Sequence, residues 1–467
     1  MRHASGNRFI DVDGLTEKME RRSAQNSLAL VGGYGKMGVW ILEFLHGQGL
    51  LDKMSVLITG PRKEPGEKVA KRFGCSYSPD NLTAADSRFV VICTPIRIAP
   101  SAIAEIGPHL RKGSVLMDIC SVKTEVCSVA DKVVPRGVEY VSVHPMFGPS
   151  VRNLDGQVVI IVPVRGDSLV PRLQAFLEKS KARTIVTTSE MHDYALAVVQ
   201  SLTHFTYLAV GTTLKDLDFG IRESRSLSSP VYELMLDMIG RILSGDPGMY
   251  AEIQMSNPYS AKVEELFLAN AQRLKAAVDA RDSAAFSRMM LEAARHYDDL
   301  DSAFSKSSRA VSALYDELLK LKASVGKQVA IRSEVTGAVH IGMLKDMTPE
   351  SLTIEEGRRV TRLKTANASL LSDEETGKQR ISKFGTSQRD ASFTFDKGAD
   401  PQVVAGLVQA YDRELASISP IDVYVGPGIP EGKKSVTFRF VFFGDLDADE
   451  AEKRARSLFK ALGAGER

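Results

Sequence analysis

The chain has 467 residues, 43% of them hydrophobic and 25% charged, with a formal net charge of +2 and a mean hydropathy of −0.10. That length is too great for one compact core, so roughly two to four domains are expected, and no apolar run approaches the ~20 residues of a bilayer span, which excludes membrane insertion. The near-neutral balance excludes a chain that is basic throughout, so any nucleic-acid footprint has to be local.

Residues 1–26 carry basic side chains together with Asp11, Asp13, Glu17 and Glu20 and lack an apolar stretch, which reads as a tail with a short helix rather than a secretory leader. Cys75, Cys93, Cys120 and Cys127 show no C-x-x-C and no His/Cys ligand spacing. Reduced thiols in a cytoplasm are expected, with no metal site.

Across residues 27–188, short β-branched runs alternate with amphipathic stretches: LALVGG, SVLITG, FVVICTP, SVLMDIC, VEYVSVHP and VVIIVP. This predicts a doubly wound, parallel sheet covered on both faces. Over 189–322 the period becomes helical, and Ala195, Val198, Val199, Leu202, Phe205 and Leu208 lie on faces wide enough to predict an all-α domain that dimerises. Residues 323–371 return to short strands and read as a small β-barrel-like module. The polar stretch 372–388, with Lys378, Arg380 and Lys383, reads as a linker. Residues 389–467 run strand, helix, strand, strand, helix, the order of a ferredoxin-like α+β domain. The predicted architecture is an α/β Rossmann domain, an all-α dimerisation domain, a small β module and a C-terminal ferredoxin-like α+β domain.

Gly33-Tyr34-Gly35-Lys36-Met37-Gly38 follows the predicted strand Leu28–Val31 and opens a helix. Glycines permit the tight turn and close backbone approach, and a helix N-terminus offers free N–H groups to a pyrophosphate. Thr94 and Pro95, after the strand of FVVICTP, are placed at the same site. An NAD-selective site carries an acid at the end of its second strand; here Val56–Thr59 ends in Gly60-Pro61-Arg62-Lys63. NADP is favoured over NAD, with Arg62 on the 2′-phosphate; a merely solvated Arg62–Lys63 pair is the plainer alternative.

His144 closes an apolar strand at the edge where open α/β sheets bind ligands, and an imidazole there can act as a general base. Ser121 follows the preceding strand, Val115–Ile119, and would orient that imidazole or bind a substrate hydroxyl.

DICSVK, SVHPMFGPS, HDYALAVVQSLTHF and LSSPVYELMLDMIGRILSGDPGMYAEI resemble the prephenate dehydrogenase family over about Ser27 to Leu319. The resemblance implies oxidation of prephenate, or arogenate, by a nicotinamide cofactor, with loss of CO₂ as the ring aromatises, in tyrosine biosynthesis by a dimer. It implies His144 as the base, Ser121 beside the same hydroxyl, His204 near the substrate and Arg241 gripping a substrate carboxylate, a surface arginine being the alternative for Arg241. His192 would lie near the substrate or brace its helix. Ser201 occupies a place where some members carry another histidine, which leaves ketoacid and amino acid side chains both open.

The segment Pro420–Phe443 resembles the ferredoxin-fold anticodon-binding domain of the phenylalanyl-tRNA synthetase β subunit, over roughly Arg389–Leu462. Three roles are weighed: RNA contact through Lys433, Lys434, Arg439 and the basic linker, a regulatory site for tyrosine or phenylalanine, and scaffolding. Asp445, Asp447, Asp449, Glu450 and Glu452 dilute the basic charge. The 323–371 module distantly suggests an Sm-like barrel, and its Arg358, Arg359, Arg362 and Lys364 read as a solvated edge. A rival of another class is an RNA- or synthetase-associated binding protein whose dehydrogenase has decayed. Another Rossmann oxidoreductase, acting on hydroxyacids or imines, is disfavoured because it lacks the QSLTHF and MIGRIL pairing.

Overall fold

The computed structural model describes residues 27–466 except 167 and 413, so the expected N-terminal tail lies outside the described residues. The chain forms two compact units, residues 1–298 and 299–467.

In the first unit β1 (Ser27–Val31), β2 (Ser55–Thr59), β3 (Ser76–Ser78), β4 (Phe89–Ile92), β5 (Val115–Asp118), β6 (Glu139–Pro145), β7 (Val158–Arg165) and β8 (Arg183–Val186) form one sheet in the order 3-2-1-4-5-6-7-8. The strand order reverses direction at β1, which pairs in parallel with both β2 and β4, creating a crevice beyond the strands' carboxyl ends. Successive side chains of β1 serve two cores. Ala29 and Val31 pack with Ala99, Ile103, Val126 and Ala130, whereas Leu28 and Leu30 pack with Leu42 and Ile58. Burial on both faces is why these strands read as unbroken apolar runs.

The all-parallel expectation needs correction at one edge. β7 runs antiparallel to β6, and β8 runs parallel to β7. A parallel return needs a crossover of about a dozen residues or more, usually a helix, and the chain between Pro145 and Val158 forms none.

The helices of this unit used below are α1 (Lys36–Gly47), α2 (Lys63–Phe73), α3 (Ala99–Ile106), α4 (Thr124–Val133), α5 (Leu169–Lys179), α6 (Ser189–Leu196), α7 (Thr203–Asp216), α8 (Ile221–Ser226), α9 (Pro230–Leu243), α10 (Pro247–Ser256), α11 (Ser260–Asp279) and α12 (Ser283–Ala294). Between α6 and α7 the residues Ala197–Leu202 form a π-helical turn. Such a turn frees a backbone carbonyl, and here the Gln254 side-chain amide donates to the Ser201 carbonyl at 2.9 Å. Neither α7 nor α12 buries a residue within the chain, and Val199, Leu227, Val231 and Met290 are exposed.

The second unit starts with α13 (Leu300–Ala323), expected in the helical domain but clustering instead with the strands that follow it. Leu321 of α13 is buried in the core of an antiparallel sheet of β9 (Gln328–Ser333), β10 (Val339–Met347), β11 (Ser351–Glu356), β12 (Arg359–Lys364) and β13 (Ala368–Leu370). Its order is 12-11-10-9-13, and the two outer strands are not paired, so it is an open sheet rather than a closed barrel.

The expected linker is also corrected. Asp373–Phe384 is a helix, α14, whose N-cap Ser372 and Glu375 form a reciprocal capping box, and its Arg380 is buried. The S-x-x-E signature outweighs the polar composition that suggested a loop. Beyond it β14 (Thr386–Asp396), α15 (Pro401–Tyr411), β15 (Leu415–Tyr424), β16 (Lys433–Phe443), α16 (Ala448–Ala461) and β17 (Gly465–Glu466) give the sheet order 15-16-14-17, a ferredoxin-like fold around Phe393, Phe438, Phe440 and Phe459. Among the described residues no helix is long and apolar enough to cross a membrane.

Candidate active site

The glycine turn follows β1 at the strand reversal. Gly32 sits in the left-handed region at φ +73°, and its N–H donates to the Thr59 carbonyl at 2.8 Å. A Cβ on Gly33 would lie 2.6 Å from that of Leu30, and one on Gly38 would strike the Gly33 carbonyl, so α1 packs directly on the turn. Gly35 caps α1 without a side-chain hydrogen bond, and the first turn, with Lys36 and Met37, holds no acid. Its N-terminal N–H groups are therefore free to meet an anion. Across the crevice Thr94, followed by Pro95, has a buried Oγ1 with no hydrogen-bond partner. A cradle that admits only glycine, an uncapped helix and an orphaned hydroxyl fit a dinucleotide. Gly32, whose φ makes the turn, was absent from the predicted set because spacing alone does not reveal a left-handed residue.

At the end of β2 the Arg62 guanidinium lies 5.0 Å over the Tyr34 ring, and the Arg62 N–H points at the Tyr34 hydroxyl. Lys63 approaches Glu67 at 3.9 Å, an exposed pair of little energetic weight.

His144 lies near the end of β6 with 3% of its surface exposed. Its Nδ1 is 2.9 Å from Nε2 of His192, and Nδ1 of His192 is 2.8 Å from Oδ1 of Asp193. Both partners come from α6, which docks on the N-terminus of α4. The Asp193 carboxylate accepts the N–H of Lys123 at 2.8 Å and that of Thr124 at 2.7 Å. Burial pushes the Asp193 carboxyl up, but the hydrogen bonds from His192, Thr124 and Lys123 outweigh it and hold the group below its usual range. Burial, then the Lys123 charge and the His192 ring, hold the His144 imidazole well below its ordinary value, so it is neutral. The His192 imidazole is lowered too, by burial against the opposing pull of Asp193.

Beneath these rings Lys123 is fully buried. Its Nζ donates to Oδ1 of Asp118 at 2.9 Å and to the Val143 carbonyl at 2.8 Å, while the Tyr140 hydroxyl donates to Oδ2 of Asp118 at 2.6 Å. Lys123 thus ties β5 to the backbone beside His144.

Of the predicted catalytic residues, His144 stands where expected. Ser121 follows β5, and the ring contact on Nδ1 of His144 comes from His192. His204 on α7 stacks edge-on against Tyr250 at 4.7 Å, and its Nδ1 is buried without a partner. Burial lowers its imidazole. Arg241 is solvent-exposed on α9, the alternative the sequence left open. Ser201 is buried and accepts a hydrogen bond from the Ser260 hydroxyl at 2.7 Å. Sequence reasoning missed Asp193 and Lys123. The adjacent HD pair at a helix start was the available signal for Asp193, whereas nothing local marks a lysine in DICSVK for complete burial.

Three family descriptions match the chain. Residues 50–186 match the prephenate dehydrogenase nucleotide-binding domain, 188–292 its dimerization domain, and 382–463 the ferredoxin-fold anticodon binding domain. A probable arogenate/prephenate dehydrogenase of Methanocaldococcus jannaschii is 33% identical over 446 residues, which cover 94% of this chain and 98% of that protein. The T-protein of Haemophilus influenzae is 30% identical over 244 residues, 51% of this chain and 59% of that one. Among solved structures, the prephenate dehydrogenase of A. aeolicus in complex with hydroxyphenyl propionate and NAD+ is 20% identical at a TM-score of 0.48, covering 57% of this chain and 96% of that chain.

Proposed function

The chain belongs to the prephenate dehydrogenase family, as an NAD(P)-dependent dehydrogenase, and on that premise we propose that it oxidises prephenate to 4-hydroxyphenylpyruvate with His144 as the base. The observation that carries this reading is the neutral, buried imidazole of His144 at the ligand-binding edge of the sheet. A nicotinamide cofactor held at the turn Gly32–Gly38 and beside Thr94 would supply the hydride acceptor for the ring carbon that bears the hydroxyl. His144 takes the hydroxyl proton on Nε2, the bond to the ring carboxylate breaks to release CO₂ with its electron pair completing the aromatic ring, and Nε2 then returns the proton to the phenolate oxygen. General-base assistance of this kind is worth about 10²–10⁴ in rate. Ser121 is assigned to the substrate hydroxyl, His204 to a polar group of the substrate through its unpartnered Nδ1, and Arg241 to a substrate carboxylate that would draw it from solvent.

Prephenate is preferred to arogenate because the carboxylates of this cluster are already engaged. Asp118 is bonded to Lys123 and Tyr140, and Asp193 to His192 and two backbone amides, which leaves neither for a substrate ammonium. NADP is preferred to NAD because β2 ends without an acid and Arg62 is stacked on Tyr34 near the glycine turn. The apolar faces left bare on the helical domain support a homodimer, and four free thiols support a cytoplasmic enzyme. An intact buried network disfavours a decayed dehydrogenase.

For the C-terminal module, scaffolding is preferred. Arg439 is paired bidentately with Asp390, Lys433 with Asp396, and Arg389 with Asp449 and Glu452, so a phosphate would first have to displace a carboxylate at each. Following the reduced-nicotinamide absorbance with prephenate and then arogenate, each with NAD and NADP, tests the main reading; no turnover with any pair removes it. Titrating tRNA at low salt and tyrosine in the activity assay tests the module, and a response to either displaces the scaffolding role.

A further inference from the structure

His144 has two ring nitrogens, and only one of them meets His192. We propose that Asp193 and His192 are positioning residues that fix the proton of His144 on Nδ1 and so keep the Nε2 lone pair turned toward the substrate hydroxyl. The proposal rests on the assignment of His144 as the base and deepens it.

Asp193 anchors the hydrogen-bonded chain. Its carboxylate is buried and receives three N–H donors, from Lys123, Thr124 and His192, at 2.7–2.8 Å. Two of those donors belong to the start of α4, where the helix dipole also favours a negative charge. Asp193 is therefore an anion that only accepts. The nitrogen facing it, Nδ1 of His192, must carry a hydrogen. Because burial keeps the His192 ring neutral, its Nε2 has no hydrogen and must accept. The atom 2.9 Å away, Nδ1 of His144, must then be the donor. In a neutral His144 this leaves Nε2 as a bare lone pair. Each link removes one tautomer, and the anionic end together with two neutral rings sets both imidazoles.

Proton uptake by His144, opposed by burial and by the Lys123 charge, changes the net charge of the cluster. His192 and Lys123 act on His144 directly, with Asp193 beyond His192 and Asp118 beyond Lys123. With both imidazoles neutral, two carboxylates and one ammonium give this buried cluster one net negative charge. When Nε2 takes the substrate proton, the cluster becomes neutral. The imidazolium then donates from Nδ1 to His192, which leans on Asp193. Lys123 works against this, and its opposition is reduced by its direct pairing with Asp118.

The test compares His192→Leu, which removes the acceptor, with His192→Gln, whose amide oxygen can still accept from His144 Nδ1, alongside His144→Asn. H192L is expected to lower kcat by about 10²–10³-fold with KM for substrate and cofactor within ~3-fold of the parent. H192Q is expected to recover at least tenfold of that loss. Nitrogen-15 shifts of the parent's His144 ring should show the Nδ1–H tautomer, and those of H192L a mixture. The proposal is overturned if H192L keeps kcat within threefold of the parent, if H192Q is no faster than H192L, or if the parent's ring carries its hydrogen on Nε2. Loss of turnover in H144N together with full turnover in H192L removes the relay and leaves the base. Retained turnover in H144N removes the base, and the relay with it.

Discussion

Nζ of Lys123 and Oδ1 of Asp118 are 2.9 Å apart with neither side chain exposed, a complete ion pair inside the core of a nucleotide-binding sheet. Burial alone would push the Asp118 carboxyl up; the Lys123 charge and the Tyr140 hydroxyl outweigh it and keep the group below its usual range. The remaining Lys123 hydrogen bond, to the Val143 carbonyl, holds the strand at the residue before His144. The pair thus fixes the backbone that carries the base.

Removing one partner strands the other. Lys123→Met is expected to destabilise the first unit by ~3–5 kcal/mol, because an uncompensated carboxylate is left in the core. The double variant Lys123→Met, Asp118→Asn should recover a large part of that loss. Urea unfolding of the two variants checks both statements, and equal stability of the single variant and the parent contradicts the first.

The histidines give the enzyme a defined pH dependence. His144 must be unprotonated to act, and its folded value lies well below 6.5, so kcat/KM should stay level as pH falls through 6.5 and decline only well below it. Stability follows with its own sign. Both His144 and His192 are lowered in the folded state, so below pH 6.5 the unfolded chain binds more protons and the fold loses stability. Above 6.5 that penalty is absent. Initial rates and thermal midpoints across pH 4.5–8 measure the two effects separately; these are roughly the limits between which an imidazole of this kind titrates. A rate limb centred above 6.5 would contradict the assignment.

Arg62 is expected to select the cofactor. A charge-assisted hydrogen bond to a 2′-phosphate contributes about 1.5–3 kcal/mol, so Arg62→Ala should raise KM for NADP about 10–100-fold while KM for NAD changes less than twofold. Steady-state kinetics with both cofactors decides it. An equal effect on the two would return Arg62 to the solvated surface.

The second unit has a joint of its own. Arg380 on α14 donates to both oxygens of Asp445, with its guanidinium 4.0 Å over the Phe443 ring, and Gln328 of β9 donates to the same carboxylate. Asp445 therefore ties the antiparallel module, α14 and the ferredoxin-like fold together. Arg380→Ala should cost the second unit ~2–4 kcal/mol and open it to limited proteolysis around α14, with dehydrogenase turnover unchanged. Unaltered proteolysis would show that the joint holds by other contacts.

Much of this was legible in the chain because it is locally encoded. The glycine turn follows a strand and opens a helix, and both are visible as patterns; so is His144 at a strand's end. The ferredoxin-like unit announces itself through alternating phenylalanines, Phe438, Phe440 and Phe442, that face one core. What escaped depends on tertiary placement. Asp193 is a functional partner only because α6 docks on α4, and Lys123 looks like any lysine until its surroundings close over it. The reversed strand β7 carries the same apolar run a parallel strand would. The helix α14 was hidden by composition, although Ser372 and Glu375 carried its start signal.

The π-helical turn at Ala197–Leu202 has a consequence for how two imidazoles are aimed. In an unbroken helix the twelve residues from His192 to His204 would leave their azimuths about 120° apart, at about 100° per residue. One extra residue in the turn takes back about 100° of that difference and returns His204 to nearly the same bearing as His192. Deleting a single residue from Ala197–Leu202 would restore a regular helix and keep His204 within about 20° of that bearing, whereas a regular helix with every residue retained would swing it away by about 100°. The irregular turn works as a phase correction, and straightening it at full length would break the alignment it provides.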